Sequence, residues 1–443
     1  MPINWIAELS NPARYERQID RLHSKYSGQR RMYTLTHQGL TFSELLPDRR
    51  RVGALLAREI RNGAYVPAAA RVRNVMLDRP RDLFYLEGLD FILHGVAGDL
   101  LAESIEPLLS PNLYSYRQGS SSWTAVRRFA AWIRKHRKAR PDPKTRGVYV
   151  FRGDVHSYAD SVTVGARSPL WPMLRRVIGI EGDGPHWKLL EQLVRPEILD
   201  DDGSRSMRSR GLPLGSPLAT PILNLYLHEL DQRLDALDGG FYGRFGDDLL
   251  FAHVDPDMVR KAMALIGDFL DRHRLELHAE KQRLLFFNGA ARRSASWPEA
   301  QGTYSVVFLG CEIRFDGTLA LPNDKWRSVL TDLRARILRT MRLVREAPIG
   351  EQGATLCAVA NAALDPRSPF AHKHTMRLRC LVTNRDQLAE LDYFIERTIA
   401  EALTHRRGPQ AFRLIPRRRL REEWKLASMV RLRNGHREPP RHD

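Results

Sequence analysis

Cysteine is scarce: Cys311, Cys357 and Cys380 are the only three in 443 residues. They stand far apart, in no metal-ligand spacing and no disulfide framework, which fits a reducing cytoplasm. Long apolar runs are missing as well. No stretch approaches the ~18 residues of a membrane span, and residues 1–9 lack the basic segment and apolar core of a secretory signal. The expectation is a soluble, cytoplasmic protein with no membrane partner. Acidic residues are in deficit, 52 against 70 Lys plus Arg, for a formal charge of +18. Such an excess attracts polyanions, nucleic acid first. A membrane surface is the weaker alternative, because no single basic amphipathic helix stands out as an anchor. Repeats and low-complexity segments are absent. Hydrophobic residues make up 43% of the chain, enough for two to four packed units.

The most informative stretch runs from Phe241 to His253. Two short apolar runs flank Gly246-Asp247-Asp248, the pattern of a buried β-hairpin with adjacent acids at its turn. Gly246 supplies a backbone conformation that a Cβ disfavours. Two anions held side by side against apolar support need a partner, and a hard divalent cation with oxygen ligands is the natural one. A lone Gly-Asp-Asp is more often a plain polar turn, so the case for chemistry needs a third acid. Val148 to Phe151 form a strongly β-prone run that Asp154 closes. An acid at the end of a buried strand is costly unless it binds something. Asp160 reads as a helix-start or turn residue, and Asp200 to Asp202 as a solvated acidic turn.

Elsewhere the chain reads as alternating helices and strands. Helical periodicity covers residues 51–61, 90–108, 124–136, 169–177, 186–194 and 257–274. Residues 65–68 and 71–77 are strand-like. Arg79 and Arg81 carry guanidinium forks that suit a triphosphate, or are two solvated surface arginines. Arg117 lies in a polar, aromatic loop, residues 112–122, as a candidate contact to a nucleic-acid backbone. Gly211, Pro213, Gly215 and Pro217 form a rigid loop ahead of one long apolar helix with Leu223, Leu227 and Leu230 inward and Asn224 the odd polar member. Small residues in that loop let a ligand approach the backbone. Lys281 follows at a strand edge. Residues 305–317 read as one hairpin turning at Asp316-Gly317, and residues 326–344 as a basic amphipathic helix.

Taken in order, these segments resemble the bacterial reverse transcriptases, the broad family of group II intron, retron and abortive-infection-type enzymes. The resemblance runs from about residue 51 to about 320. Phe151-Arg-Gly-Asp154 resembles the first palm motif, and Arg210 to Leu218 the nucleotide-side loop. Phe245-Gly-Asp-Asp248 resembles the Tyr-X-Asp-Asp motif. Ala279-Glu-Lys281 and Phe308-Leu309-Gly310 are similar to the fourth motif and the primer-grip hairpin, and Tyr114 to Gly119 to a loop of the fingers. Each motif alone is weak, but their order and spacing together are specific.

The resemblance implies an α+β right-hand polymerase fold. An N-terminal extension (1–50) precedes fingers (51–146), a palm with an antiparallel sheet (147–323), and a helical thumb with a basic C-terminal region (324–443). It implies an RNA-directed DNA polymerase in which Asp154 and Asp247 hold two Mg²⁺ ions, or Mn²⁺, with Asp248 in support. Lys281 would serve the leaving pyrophosphate, and Arg79 and Arg81 the triphosphate. Tyr158, Ala159, Pro213, Leu214 and Gly215 would surround the nucleotide. Arg117, Phe308, Leu309, Gly310, Arg327 and Arg334 would contact nucleic acid. The implied partners are an RNA template or non-coding RNA, the DNA product and dNTPs, with a second copy or an accessory protein as further candidates.

Three positions depart from the family pattern. Ala159 replaces an aromatic that walls off a 2′-hydroxyl, with Tyr158 next door as a substitute wall. Leu214 replaces a Gln beside the incoming nucleotide, and Phe245 the Tyr of Tyr-X-Asp-Asp. They keep open a template-independent or ribonucleotide-accepting polymerase. A non-catalytic RNA-binding scaffold is the third reading, and it leaves the acids without a role. The expected setting is antiphage defence with a non-coding RNA, because no Cys/His spacing of a zinc-containing endonuclease is present and the region after the palm is short.

Overall fold

The computed structural model describes residues 3–28, 41–76, 80–86, 88–142 and 144–435. They divide into two units, Met1–Ser122 with Val150–Leu284, and Trp123–Tyr149 with Leu285–Asp443.

The first unit is built on one helix, Gly88–Ile105. It is apolar on all sides, with Ile92, Leu93, Val96, Ala97, Leu100 and Leu101 at 2% exposure or less, as expected of a helix enclosed by its neighbours. Helix Pro12–Tyr26 packs against it, and helix Arg49–Arg61 packs against Pro12–Tyr26. Strands β1 (Arg71–Met76) and β2 (Pro80–Tyr85) pair as an antiparallel hairpin. Strand β3 (Val148–Asp154) is buried along nearly its whole length. Strands β4 (Ile198–Leu199) and β5 (Arg205–Ser206) pair around the acidic turn, which is solvated as expected. Strands β6 (Phe241–Phe245) and β7 (Asp248–His253) form the expected hairpin, and β8 (Arg283–Phe287) follows. The sheet order is β6-β7-β3-β8, so β3 lies in its interior.

Two expectations for this unit fail. Residues 65–68 are not a strand. The carboxylate of buried Asp90 accepts from Tyr65 Oη at 2.6 Å and from the Ala68 amide at 3.0 Å, and these bonds shape a loop. The long apolar helix after the Gly/Pro loop is two helices, Ala219–Tyr226 and His228–Asp235. Arg244 Nη2 donates to the Asn224 carbonyl at 3.2 Å. In an unbroken helix that oxygen would accept from the His228 amide. Leu227 and Leu230 are fully buried as expected, but Asn224 is itself 2% exposed and Leu223 only half-buried, so Asn224 takes the inward place expected of Leu223.

In the second unit, strand β9 (Gln301–Thr303) pairs in parallel with the end of β8. Residues 305–320 form a three-stranded meander, β10 (Ser305–Phe308), β11 (Cys311–Arg314) and β12 (Leu319–Ala320), not one hairpin. The unexpected turn is Leu309-Gly310, with φ of +47° and +71°. Two positive φ values suit a two-residue hairpin loop, but leucine rarely supplies the first. Beyond it, helices Asn323–Leu343, Ile349–Leu364 and Arg385–Thr404 enclose a core that includes Val329, Leu333, Ile337, Leu356, Leu391, Ile395 and Ile399. All three cysteines are buried and free. Burial pushes the Cys311 and Cys357 thiols up to about 12. Among the described residues, no helix is long and apolar enough to cross a membrane.

Candidate active site

The β6–β7 register pairs Phe245 with Asp248 and leaves Gly246-Asp247 as the loop. Gly246 has φ +64°. The end of β3 lies alongside, because the Val155 amide donates to the Asp247 carbonyl at 3.0 Å. Asp154 is 8% exposed. The Asp247 carboxyl is pushed above the ordinary aspartate range by burial first and then by the charge of Asp154, with a smaller contribution from Asp248. The chain thus brings two carboxylates to one place and leaves them repelling each other.

Two cations flank the pair. Lys281 Nζ donates to Asp154 Oδ1 at 2.8 Å, and its side chain remains 53% exposed. Its segment is fixed by the His278 amide, which donates to the Asp154 carbonyl at 2.7 Å. Arg152, two residues before Asp154 on β3, donates to Asp248 Oδ1 at 3.0 Å. Sequence reasoning missed Arg152, although residues i and i+2 of a strand share a face. The three acids therefore do not act alike. Among the described residues, no three His, Cys, Asp or Glu side chains stand together as a metal-holding group. Asp154 and Asp247 form the core of the site, and Asp248 is engaged by Arg152.

Behind the turn lies a buried polar network that sequence reasoning also missed. Arg244 and Asp231 are both 0% exposed. They meet through two hydrogen bonds, Nε to Oδ1 at 2.7 Å and Nη2 to Oδ2 at 2.6 Å, and Tyr242 Oη donates to the same Oδ1 at 2.6 Å. Burial lowers the guanidinium pKa, and Asp231 more than restores it, so Arg244 stays charged. Arg244 Nη1 also donates to the Gly246 carbonyl at 3.1 Å. On the other side, the Gly246 amide donates to Ser115 Oγ at 2.9 Å, and Asn224 Nδ2 donates to the Ser115 carbonyl at 3.1 Å. The residue that carries Asp247 is held at both its amide and its carbonyl. A signal for this was present: an arginine in the middle of a buried strand must find a partner.

The nucleotide-side loop packs onto the segment after Asp154. The Leu212 amide donates to the Ala159 carbonyl at 2.9 Å, and the Gly211 amide to Val162 at 2.8 Å. Its outer edge is tied to β2, where the Phe84 amide donates to the Leu214 carbonyl at 2.7 Å. Gly215 has φ +101°, and a Cβ there would lie 2.9 Å from the Phe84 carbonyl oxygen. Ser216 Oγ lies 2.7 Å from His94 Nδ1, and burial lowers that imidazole to about 3, keeping it neutral. Ala159, Leu214 and Gly215 are at least partly exposed, whereas Pro213 is buried.

Several expected contacts are placed otherwise. The Tyr158 ring is 3% exposed and its hydroxyl donates to the Leu223 carbonyl at 2.6 Å, so it cannot serve as a substitute wall beside Ala159. Successive helical residues point about 100° apart, and the short helix Tyr158–Ser161 turns Tyr158 inward. Arg117 is bound internally: its Nε donates to Glu106 Oε1 at 3.0 Å, and its Nη1 to the Ser110 carbonyl. Arg81 is half-buried on β2, opposite Val75, and Arg79 lies outside the described residues. In the second unit, Phe308 is fully buried and meets Phe129 edge-on, so it is a core residue and not a nucleic-acid contact. Leu309 and Gly310 are half-buried at their turn, and Arg327 and Arg334 are exposed on helix Asn323–Leu343.

Residues 173–313 match the family model of the reverse transcriptase (RNA-dependent DNA polymerase). Over this segment the chain is similar to the reverse transcriptases. The segment contains Asp247, Asp248 and Lys281, and the sheet adds Asp154 from outside the matched residues. The similarity covers about a third of the chain, within a mixed fold of helices and sheet. No curated protein matches the chain. Among solved structures it is similar to apo telomerase from Candida tropicalis truncated from its C-terminal domain, at 11% identity and a TM-score of 0.42, covering 57% of this chain and 55% of that one. It is also similar to telomerase from Candida albicans in complex with a TWJ fragment of telomeric RNA, at 10% identity and a TM-score of 0.44, covering 76% and 59%. The matched part thus amounts to little more than half the length of either telomerase chain.

Proposed function

We propose that the β6–β7 turn and the end of β3 catalyse RNA-templated DNA synthesis. The observation that carries this reading is the juxtaposition of Asp154 and Asp247, with Asp247 pushed toward its protonated form by burial and by its neighbour. A divalent cation would relieve that repulsion, so the residues fit Mg²⁺ or Mn²⁺. Asp154 and Asp247 would hold two such ions, which supply Lewis-acid activation of a primer 3′-hydroxyl and charge neutralisation at the departing pyrophosphate. Lys281, exposed and bonded to Asp154, would carry positive charge or a proton to the pyrophosphate oxygens. Gly246, clasped by Arg244 and Ser115, keeps Asp247 in register with Asp154. Residues 213–215 would bring backbone close to the nucleotide.

In this reading residues 51–146 serve as fingers, 147–323 as palm and 324–443 as thumb. The exposed Arg327 and Arg334 would grip a duplex through its phosphates without reading sequence. RNA template, dNTPs and DNA product are the partners. A defence role with a non-coding RNA belongs to the same proposal and is supported by the resemblance to phage-defence relatives.

A second reading has its own observation. Ala159 offers no wall against a 2′-hydroxyl, and Tyr158 is turned into the core. That geometry supports ribonucleotide acceptance. Primer extension with purified protein, a divalent metal, and dNTPs or rNTPs supplied singly and together tests both readings, with Asp247→Asn as control. Synthesis that needs RNA template and dNTPs supports the first. Equal use of rNTPs, or product without template, supports the second. No synthesis under any condition removes both.

A further inference from the structure

A cleft of about 390 Å³ opens on the first unit, lined by three separate segments of chain. Arg167 comes from the loop after the Asp154 segment, Arg210 from the approach to the Gly/Pro loop, and Arg272 and Arg274 from the end of helix Pro256–Arg272. Thr163 and Ser209 add hydroxyls, and no carboxylate is among the lining residues. All four arginines are exposed. Among the described residues, none of the four has an ion-pair partner, whereas Arg208 pairs with Asp82, Arg117 with Glu106 and Arg175 with Asp183.

Local structure accounts for only part of this. A helix C-terminus favours cations, and Arg272 Nε donates to the Asp268 carbonyl at 3.1 Å. That explains Arg272 and contributes to Arg274. Arg167 is placed against the same rule, because it precedes the N-terminal end of helix Leu170–Ile178, where cations are disfavoured. Arg274 holds a left-handed backbone, φ +55°, which a non-glycine residue adopts at a cost. Four unpaired guanidiniums converging on one concavity repel one another unless an anion enters. A volume of this size suits a short run of sugar and phosphate, and guanidinium forks match phosphate oxygens.

We propose that this cleft, lined by Arg167, Arg210, Arg272 and Arg274, binds the phosphodiester backbone of single-stranded nucleic acid, independently of sequence and apart from the Asp154–Asp247 site. Arg210 opens the nucleotide-side loop, but neither Asp154 nor Asp247 lines the cleft, so its occupancy is read without metal or nucleotide.

The test is fluorescence anisotropy with a fluorescein-labelled oligo(U) RNA, full-length protein, EDTA and no nucleotide, over about 50 to 200 mM salt. Each single-strand phosphate contact contributes roughly 0.7 to the slope of log affinity against log salt. Arg167→Gln/Arg274→Asn should lower the slope by about 1.4 and weaken binding about 25-fold at 0.1 M salt. Asparagine tolerates the left-handed backbone at position 274, and a thermal midpoint equal to wild type verifies folding. Arg210→Gln alone should lower the slope by about 0.7 and serves if the double variant does not fold. An unchanged slope and affinity in either folded variant overturns the proposal. Tripolyphosphate distinguishes the ligand source. If it displaces the RNA and the variants lose affinity for it while retaining RNA, the cleft serves a free phosphate ligand, and the nucleic-acid assignment fails. Wild-type protein that makes no DNA yet shows the slope difference refutes the polymerase reading alone.

Discussion

Arg244→Met is the perturbation that separates holding the site from holding the fold. The pair Arg244–Asp231 is wholly buried and joined by two short hydrogen bonds. Removing one partner of such a pair costs about 3–5 kcal/mol, because it leaves a charge buried without compensation. Replacing the whole group with apolar side chains is often neutral or stabilising. Arg244→Met/Asp231→Leu/Tyr242→Phe should therefore recover about 2 kcal/mol or more of the loss in urea unfolding, because the Gly246 and Asn224 carbonyls lack their donor equally in both variants. Activity should not recover. The Gly246 carbonyl still lacks the Arg244 donor, and a misplacement of about 1 Å at a reacting group costs on the order of 10²-fold. The assay pairs urea unfolding with kcat for templated primer extension. Wild-type kcat in the apolar triple variant would refute the claim that Arg244 positions Asp247. A loss under about 1 kcal/mol in Arg244→Met would refute the claim that the pair is buried and coupled.

Three further outcomes follow from the same geometry. The Asp247 pKa is raised in the fold, so its ionised form costs stability above the folded pKa and costs nothing below the unfolded value of 3.8. Metal-free Asp247→Asn should then melt higher than wild type at neutral pH, with the gap closing on acidification toward 3.8; a gap independent of pH would contradict the burial and the Asp154 repulsion. Lys281→Met should lower kcat by about 10²-fold and shift stability by less than ~1 kcal/mol, because the ion pair is half-exposed. An effect on KM alone would assign Lys281 to binding. Gly215→Ala forces a Cβ to 2.9 Å from the Phe84 carbonyl oxygen at φ +101°, so it should raise KM for nucleotide and lower stability by about 1–3 kcal/mol. Wild-type values in that variant would show that the loop yields freely.

Local patterns carried the site, and long-range pairings did not. The β6–β7 turn and the end of β3 were legible because apolar runs, a glycine and adjacent acids lie within a few residues of one another. The partners of those acids were not. Arg152 reaches Asp248 across 96 positions and Lys281 reaches Asp154 across 127, distances at which periodicity says nothing. Tyr158 illustrates a different failure: adjacency to Ala159 in sequence does not mean a shared face in a helix. Leu309-Gly310 was missed because a leucine at positive φ gives no turn signal. The split of the helix at Leu227 depends on Arg244 reaching the Asn224 carbonyl, a contact between elements that no local propensity encodes.

The central claim is that Asp154 and Asp247 direct synthesis of DNA from an RNA template. The most direct measurement is the sequence of the DNA made by the purified protein when it is given one RNA of mixed sequence, a primer, all four dNTPs and Mg²⁺. Wild type should make the complement of that RNA, and Asp247→Asn should make no product. Product unrelated to the supplied RNA, or equal synthesis by Asp247→Asn, would contradict the claim.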